Sequence, residues 1–168
     1  MLAKLDFCNM ALGFLGTRTI HQAELDNSSS PEAIQCNLYW DRARRTALRD
    51  FPYRFAQRRF LLEEVVMPVL YAGQWRYAYK LPECLKVVRI HNGFDRIGRT
   101  PFAIEKVDGD MLVFCNIPNA QATCTVDEED VSKWDELFIS MMAKKLAALI
   151  FPALYARREV GTGGTKQA

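Results

Sequence analysis

The sequence "RDFPYRFAQRR", residues 49–59, places four arginines and three aromatic rings around a single proline. Apolar residues repeat at helical spacing before this stretch, and short runs of β-branched and aromatic residues follow it. Pro52 cannot continue a helical hydrogen-bond ladder, and it biases Phe51 towards extended backbone. The stretch therefore predicts a corner at which a helix ends and a sheet begins.

Two helices are predicted before the corner. The first spans residues 2–15, because apolar side chains recur there at helical spacing and Gly16 favours a left-handed stop. The polar segment 17–30 is interpreted as a connection. Ser30 followed by Pro31 is typical of a helix start, so the second helix is predicted over residues 31–50.

The second helix carries two apolar stripes, which predicts two packing partners. One stripe contains Cys36, Trp40, Ala43 and Ala47, and the other contains Ile34, Leu38 and Leu48. Between the stripes lie Arg42, Arg44, Arg45 and Arg49. We expect their charged groups to reach solvent while their stems cover apolar surface.

A β insert is predicted over residues 58–127. Its strands are five short runs rich in aromatic and β-branched residues, at 75–82, 84–90, 102–107, 111–115 and 122–127. Asn92-Gly93 and Asp108-Gly109 fall between runs, and such dipeptides favour hairpin turns. We therefore expect one small antiparallel sheet.

The third helix is predicted over residues 132–151, with Ser132 as its N-cap. It either ends at Phe151-Pro152 or is kinked there and continues to Arg158. Residues 159–168 are glycine-rich and polar, so we expect a flexible arm. The predicted fold class is α+β: one domain (1–158) with a bundle of three main helices and an antiparallel sheet inserted between the second and third, followed by a flexible C-terminal arm.

Composition limits the classes of function. A chain of 168 residues can bury its own core, and its net charge of +2 gives no global field for general nucleic-acid binding. Five cysteines without C-x-x-C spacing favour a reducing compartment over a disulfide framework or a zinc site. No run approaches the roughly 18 apolar residues of a membrane span. We expect a cytosolic protein with no membrane partner and no cofactor.

No catalytic or metal site is predicted. His21 and His91 lack a cysteine or carboxylate at a spacing that would complete a metal site. The remaining enzyme hypothesis rests on Cys84 or His91 alone. The acidic run 127–130 is interpreted as negative charge that is stabilised by the positive end of the dipole of the third helix, rather than as a calcium site.

Two interpretations of the arginine-rich region stay open. The favoured one is a packing corner, with rings inside and arginines available to an acidic partner surface. The alternative is a small nucleic-acid-binding module, because aromatic faces stack bases and guanidinium groups hold phosphates. The arginines concerned are Arg42, Arg45, Arg49, Arg54, Arg58 and Arg59.

Four blocks follow one another along nearly the whole chain. They are ALGFLGTRTI (11–20), SSSPEAIQCNLYWDRARRTALRDFPYRFAQRRFLL (28–62), YAYKLPECLKVVRI (77–90) and WDELFISMMAKKLAALI (134–150). In this order they resemble the head-to-tail connector (adaptor) proteins of tailed bacteriophages, in particular those like podophage tail tubular protein A. The chain departs from that family's usual pattern at Tyr53, where tryptophan is usual, and at Glu83, where aspartate is common.

The resemblance implies a structural virion protein rather than an enzyme. About twelve copies would form a closed ring on the portal protein, joining the capsid to the tail. The ring would meet tail or nozzle proteins and extend a channel through which DNA passes without sequence-specific binding. The protein would reside in the host cytoplasm before assembly and in the virion neck afterwards.

The resemblance also implies contact residues. The portal-docking arm would contain Arg157, Arg158, Glu159, Val160, Gly161, Thr162, Gly163, Gly164, Thr165 and Lys166. The six arginines of residues 42–59 named above would make subunit or portal contacts.

Overall fold

The computed structural model describes residues 1–93 and 98–162, and of residues 157–162 it describes the helical backbone alone. The chain divides into two compact units. The helical unit comprises Met1–Phe51 and Glu128–Ala168, and the β unit comprises Pro52–Asp127. The boundary lies at the predicted corner, where Phe51 is extended with φ −143° and ψ 143°.

The described part of the helical unit contains four α-helices. They are α1 (Lys4–Phe14), α2 (Gln22–Asn27), α3 (Pro31–Asp50) and α4 (Glu136–Thr162). The predicted three-helix bundle is therefore wrong, because α2 lies in the segment interpreted as a connection. This short helix depends on tertiary contacts: Leu25 is buried, and the Asn37 side chain of α3 donates to the Leu25 carbonyl at 2.7 Å.

Two predicted helix boundaries are confirmed. The Ser30 hydroxyl accepts a hydrogen bond from the Ala33 N–H at 3.3 Å, which caps α3. Gly16 adopts a φ of 63° after α1, and the N–H of Thr17 donates back to the carbonyl of Leu12 at 3.0 Å. A left-handed residue with this return bond is the Schellman stop that glycine favours.

The predicted start of the last helix is wrong, and of its two predicted ends the continuation past Pro152 is the one observed, although α4 extends to Thr162 rather than to Arg158. Ser132 lies in a 3₁₀ turn, Val131–Lys133, and the first turn of α4 is capped by Asp135, whose Oδ1 accepts from the Phe138 N–H at 2.8 Å. Pro152 lies inside α4 without ending it. The helix continues past Pro152 with Leu154 still buried, so core packing outweighs the hydrogen bond that proline removes.

The helix α4 extends to Thr162, so residues 159–162 are helical instead of forming the start of a flexible arm. Residues 163–168 of the predicted arm lie outside the described residues.

An aromatic cluster organises the core of the helical unit. Trp134 lies 5.2 Å from Phe7 of α1 and 6.1 Å from Trp40 of α3, measured between ring centroids, and 4.8 Å from Phe138 of α4. The Trp134 indole N–H donates to the Glu128 carbonyl at 2.9 Å, so its polar atom is satisfied in a buried site. These rings join three helices at one point.

The described part of the β unit contains two antiparallel sheets rather than the single sheet predicted. One has the strand order β1-β7-β4 and the other has the order β2-β3-β6-β5. The strands are β1 (Gln57–Leu61), β2 (Glu64–Val65), β3 (Tyr77–Lys80), β4 (Lys86–His91), β5 (Phe102–Val107), β6 (Asp110–Cys115) and β7 (Gln121–Thr125). The five predicted runs correspond to β3–β7, while β1 and β2 were not predicted.

The two sheets enclose one apolar cluster, to which Tyr79 and Val113 contribute from one sheet and Ile90 and Cys124 from the other. The second face of the four-stranded sheet carries Phe114, and the Tyr71 ring stacks on it with centroids 4.7 Å apart.

One of the two predicted hairpin turns is confirmed. Asp108 and Gly109 both have positive φ, 49° and 90°, and they join β5 to β6. Two consecutive positive φ values are typical of the type I′ turn. The prediction for Asn92-Gly93 is wrong, because β4 and β5 belong to different sheets.

Candidate functional site

One side of α3 exposes apolar and basic residues together, and we call it the α3 outer face. It comprises Ile34, Leu38, Arg42, Arg45 and Arg49, all exposed. Spacings of three and four residues place these side chains next to one another on a helix. The second predicted stripe is thus divided: Ile34 and Leu38 face outwards, and Leu48 is fully buried.

A comparable surface lies on α4, and we call it the α4 outer face. It comprises Leu137, Lys144, Ala148, Phe151 and Tyr155, all exposed. The rings of Phe151 and Tyr155 lie 5.3 Å apart. The sequence prediction gave the exposed apolar residues of this face, Leu137, Phe151 and Tyr155, no role. The sequence does contain a signal for this face, because its residues recur at spacings of seven, four and three, which place them on one side of a helix.

The six candidate arginines divide between the two units. Arg42, Arg45 and Arg49 share the α3 outer face, whereas Arg54, Arg58 and Arg59 belong to the β unit. Arg58 and Arg59 are adjacent on β1 and point to opposite faces of its sheet. The expectation that all rings of the corner lie inside is partly wrong, because Tyr53 is buried and Phe51 is exposed.

Arg44 departs from the prediction for its neighbours, because its side chain is buried. Its guanidinium pairs with Asp41 at 2.7 Å and with Glu129 at 3.4 Å. Both carboxylates are largely exposed to water. A buried guanidinium needs such partners, so Arg44 stabilises the join between α3 and the segment before α4.

His91 of β4 is buried and lies in a chain of hydrogen bonds. The Nη2 atom of Arg59 lies 2.6 Å from its Nδ1, and its Nε2 lies 2.7 Å from the Thr123 hydroxyl. A guanidinium can only donate, so Nδ1 accepts and Nε2 carries the proton. In this tautomer His91 cannot take a proton from Thr123. The arrangement positions Arg59 rather than activating a nucleophile.

A cleft of about 550 Å³ opens beside this group in the β unit. Arg59, His91, Asn92, Ile117, Asn119 and Gln121 are among the residues that line it. Its polar lining includes one guanidinium, one imidazole and three side-chain amides. The sequence prediction considered Arg59 and His91 separately and did not group the cleft residues, because β1, β4 and β7 are distant in sequence.

Two of the buried thiols, those of Cys36 and Cys124, are poor nucleophiles because their pKa values are raised. The pKa of the Cys36 thiol is raised mainly by a hydrogen bond with Cys8 and to a smaller extent by burial. The pKa of the Cys124 thiol is raised mainly by a hydrogen bond with Cys84 and to a smaller extent by burial. Because the thiolate is the reactive form, a raised pKa lowers reactivity.

The acidic run is used in local backbone contacts. The buried Glu128 side chain accepts from the Asp130 N–H at 3.1 Å, and Asp130 accepts from the Ser132 N–H at 3.0 Å. These carboxylates precede the 3₁₀ turn rather than α4, so the expected position at the start of a long helix is wrong. Across residues 1–93 and 98–162, no group of three or more His, Cys, Asp or Glu residues is arranged to hold a metal ion.

A further exposed apolar group lies in the β unit. Val66, Val69 and Leu70 follow β2 and are almost fully exposed, and Leu61 of β1 is exposed as well. Several apolar side chains this close in sequence and open to water are typical of contact surfaces. The sequence prediction gave this segment no role.

The predicted portal-docking arm is described in part. Residues Arg157–Thr162 continue the backbone of α4. The remaining arm residues, Gly163–Lys166, lie outside the described part of the chain.

One helix of the described chain is long and apolar enough to cross a membrane by length and composition. The segment concerned is Glu136–Ala156 of α4, which has a mean hydropathy of 1.7, and 39% of its most apolar stretch is buried. Core helices of globular proteins share this length and composition. Within the helical unit, α4 packs against α1 and α3.

No protein-family model matches the chain, and no curated protein matches it.

Proposed function

We propose that the protein is a structural head-to-tail connector. In this proposal it assembles as a ring on a portal protein, joins a DNA-filled capsid to a tail and extends the DNA channel. The observation that carries the proposal is the exposure of large apolar side chains on two helices of one unit. Ile34, Leu38, Leu137, Phe151 and Tyr155 are each 46–64% exposed. Apolar surface of this kind marks sites of association.

Two separate faces suit a ring. A head-to-tail contact joins two different surfaces, and it generates a closed ring when the rotation between subunits closes. The α3 outer face and the α4 outer face supply two such surfaces within the helical unit. Their mixture of apolar and basic side chains resembles the composition of assembly interfaces more than that of a solvated helix.

The portal-docking role is assigned to residues 157–166, as the resemblance implies. Because Arg157–Thr162 continue α4, we infer that the docking segment begins as a helical extension of the core. The exposed apolar group at Val66, Val69 and Leu70 is available for a tail or nozzle protein.

Electron microscopy of the protein mixed with its portal tests the ring, with mass measurement of the free protein alongside. Leu38→Glu and Phe151→Glu each place a charge in one outer face, and we expect both variants to fold but to lose ring formation. Val66→Glu is the matched control, because it adds the same charge at an exposed apolar site in the β unit. Rings formed by both face variants, or a wild type that never joins the portal, would contradict the proposal.

Truncation tests the arm separately. Removing residues 159–168 should leave the core folded and abolish co-sedimentation with the portal. A shorter truncation of residues 163–168 retains all of α4 and distinguishes the helical part of the arm from the rest. Normal portal binding by the longer truncation would show that docking resides elsewhere.

The alternative, a nucleic-acid-binding module, is favoured by one observation: Arg42, Arg45 and Arg49 share one exposed face. Binding to duplex DNA by the isolated chain, with a salt dependence that falls when these arginines become alanine, would support it. The connector proposal expects no such binding by the free chain at physiological salt.

A further inference from the structure

The β unit contains a further candidate site, which is separate from the two outer faces and from the portal-docking arm. The three-stranded sheet turns one face towards the apolar cluster, through side chains such as Ile90 and Cys124. Its opposite face carries Arg59, Thr123 and Arg89 in one row, because Thr123 of β7 pairs with Arg59 on one side and with Arg89 on the other. This face therefore concentrates cations beside a hydroxyl group.

Arg59 is held in a fixed position on that face. His91 is only 7% exposed, and its Nδ1 accepts from Arg59 at 2.6 Å while its Nε2–H donates to Thr123 at 2.7 Å. The guanidinium is thus oriented by a buried, neutral imidazole that is itself anchored on the central strand. A donor fixed in this way loses little conformational entropy when it binds an anion.

Two clefts adjoin at the end of β4. The first, of about 550 Å³, contains Arg59. The second, of about 400 Å³, contains Arg89 and Arg99, and both clefts share Asn92. None of the described residues that line either cleft is acidic. Each volume falls within the range usual for small-ligand sites.

The lining chemistry matches a nucleotide better than a bare anion. Guanidinium groups bind phosphate oxygens through paired hydrogen bonds. The side-chain amides of Asn92, Asn119 and Gln121 can both donate and accept, as the edges of bases require. Ile117 supplies apolar surface for a base. We propose that the two clefts bind two consecutive nucleotides of a single-stranded nucleic acid, with one phosphate at Arg59 and the next at Arg89 and Arg99.

This inference goes beyond the connector role and does not require a ring. The experiment uses the full chain without portal, at one fixed salt concentration. A fluorescein-labelled oligothymidylate is the probe, and its anisotropy reports binding. Arg59→Ala should weaken binding at least about tenfold, since a hydrogen bond to a charged group is worth about 1.5 kcal/mol or more, and 1.4 kcal/mol corresponds to tenfold.

Arg58→Ala is the matched control. Arg58 is an exposed arginine next to Arg59 on β1, and it points to the other face of the sheet. We expect Arg58→Ala to bind as the wild type does and Arg89→Ala to bind more weakly. Arg59→Lys keeps the charge but lacks the planar fork, so it should also bind more weakly and serves if Arg59→Ala does not fold.

Competition distinguishes the possible ligands. Thymidine 5′-monophosphate should displace the probe only at higher concentration than unlabelled oligothymidylate, because it fills one cleft. If the monophosphate and the oligothymidylate displace the probe at equal concentrations, the proposal that the clefts bind two consecutive nucleotides is overturned. Displacement by an oligoglutamate peptide as readily as by oligothymidylate would assign the face to acidic protein instead. Absence of binding by folded wild type, or equal losses for Arg58→Ala and Arg59→Ala, would also overturn the proposal.

Discussion

The guanidinium of Arg18 donates to both carboxylate oxygens of Glu24, with an Nη1–Oε1 distance of 3.2 Å and an Nη2–Oε2 distance of 2.7 Å. Arg18 lies in the connection after α1 and Glu24 lies in α2. The Nη2 atom also lies 3.4 Å from Glu32 in the first turn of α3. One arginine therefore joins two helices and the connection that precedes them.

This contact predicts a pH dependence of stability. Two hydrogen bonds, the larger effect coming from Arg18 and the smaller from Ser30, lower the pKa of the Glu24 carboxyl from 4.5 to about 2. A depressed folded-state pKa contributes stability above the ordinary pKa, and that contribution is lost as the pH falls from about 4.5 towards 2. We therefore expect Glu24→Gln to lower the thermal midpoint at about pH 6 and to have a much smaller effect near pH 2.

Circular dichroism melts of wild type and Glu24→Gln at both pH values check this expectation. In an Arg18→Ala background the difference at the higher pH should become smaller, because the main hydrogen-bond donor is gone. The pair is partly exposed, so added salt should also reduce the difference. An equal difference at both pH values would contradict the assignment.

Ser30 predicts a specific loss of stability. Its hydroxyl accepts from the Ala33 N–H at the start of α3, and it also donates to Glu24. Ser30→Ala should reduce the free energy of unfolding by about 1 kcal/mol, the usual cost of losing an N-cap. Urea denaturation measures the change. Ser29→Ala is the control, because Ser29 is exposed outside the cap position, and it should change stability by less than about 0.5 kcal/mol.

The limits of α3 were predictable because they depend on local chemistry. Ser30 with Pro31 begins the helix and Pro52 follows its end, and each acts through its own backbone and its nearest neighbours. The helix α2 was not predictable in this way. It has six residues, too few to show a helical period, and its position depends on Asn37 and Arg18.

The division of the β unit into two sheets also depends on distant pairing. Strand β1 pairs with β7, so Gln57 faces Thr125 across a large separation in sequence. Alternation within a strand predicts which residues share a face, but it does not identify the partner strand. The cleft at Arg59 and His91 was missed for the same reason, because only the pairing of β7 with both β1 and β4 brings the two residues next to Thr123.

The stripes on α3 show what a helical period leaves undetermined. The sequence predicted two apolar surfaces, and the structure covers Cys36 and Ala47 while leaving Ile34 and Leu38 in water. Periodicity identifies an apolar face, whereas burial depends on whether another element reaches it.

The turn between β5 and β6 predicts a contrast between two glycines. Gly109 has a φ of 90°, a region that side chains other than glycine rarely adopt, so Gly109→Ala should destabilise the β unit by about 1 kcal/mol or more. Gly73 does not have a positive φ, and an added methyl group there meets no atom within 4 Å. Gly73→Ala should therefore be neutral or slightly stabilising. Chemical denaturation of both variants measures the contrast, and equal losses would argue against the type I′ turn.

Two adjacent residues of α4 give a prediction that separates folding from the proposed assembly. Phe138 is fully buried against Trp134, whereas Leu137 lies on the α4 outer face and is exposed. Phe138→Ala should lower the free energy of unfolding by about 3–5 kcal/mol, because it removes a ring and leaves a cavity. Leu137→Ala should change it by less than about 0.5 kcal/mol and should weaken ring formation on the portal. Denaturation of the free chain and electron microscopy with the portal give the two measurements. If Leu137→Ala instead destabilises the free chain as strongly as Phe138→Ala does, Leu137 belongs to the core and the α4 outer face is not an assembly surface.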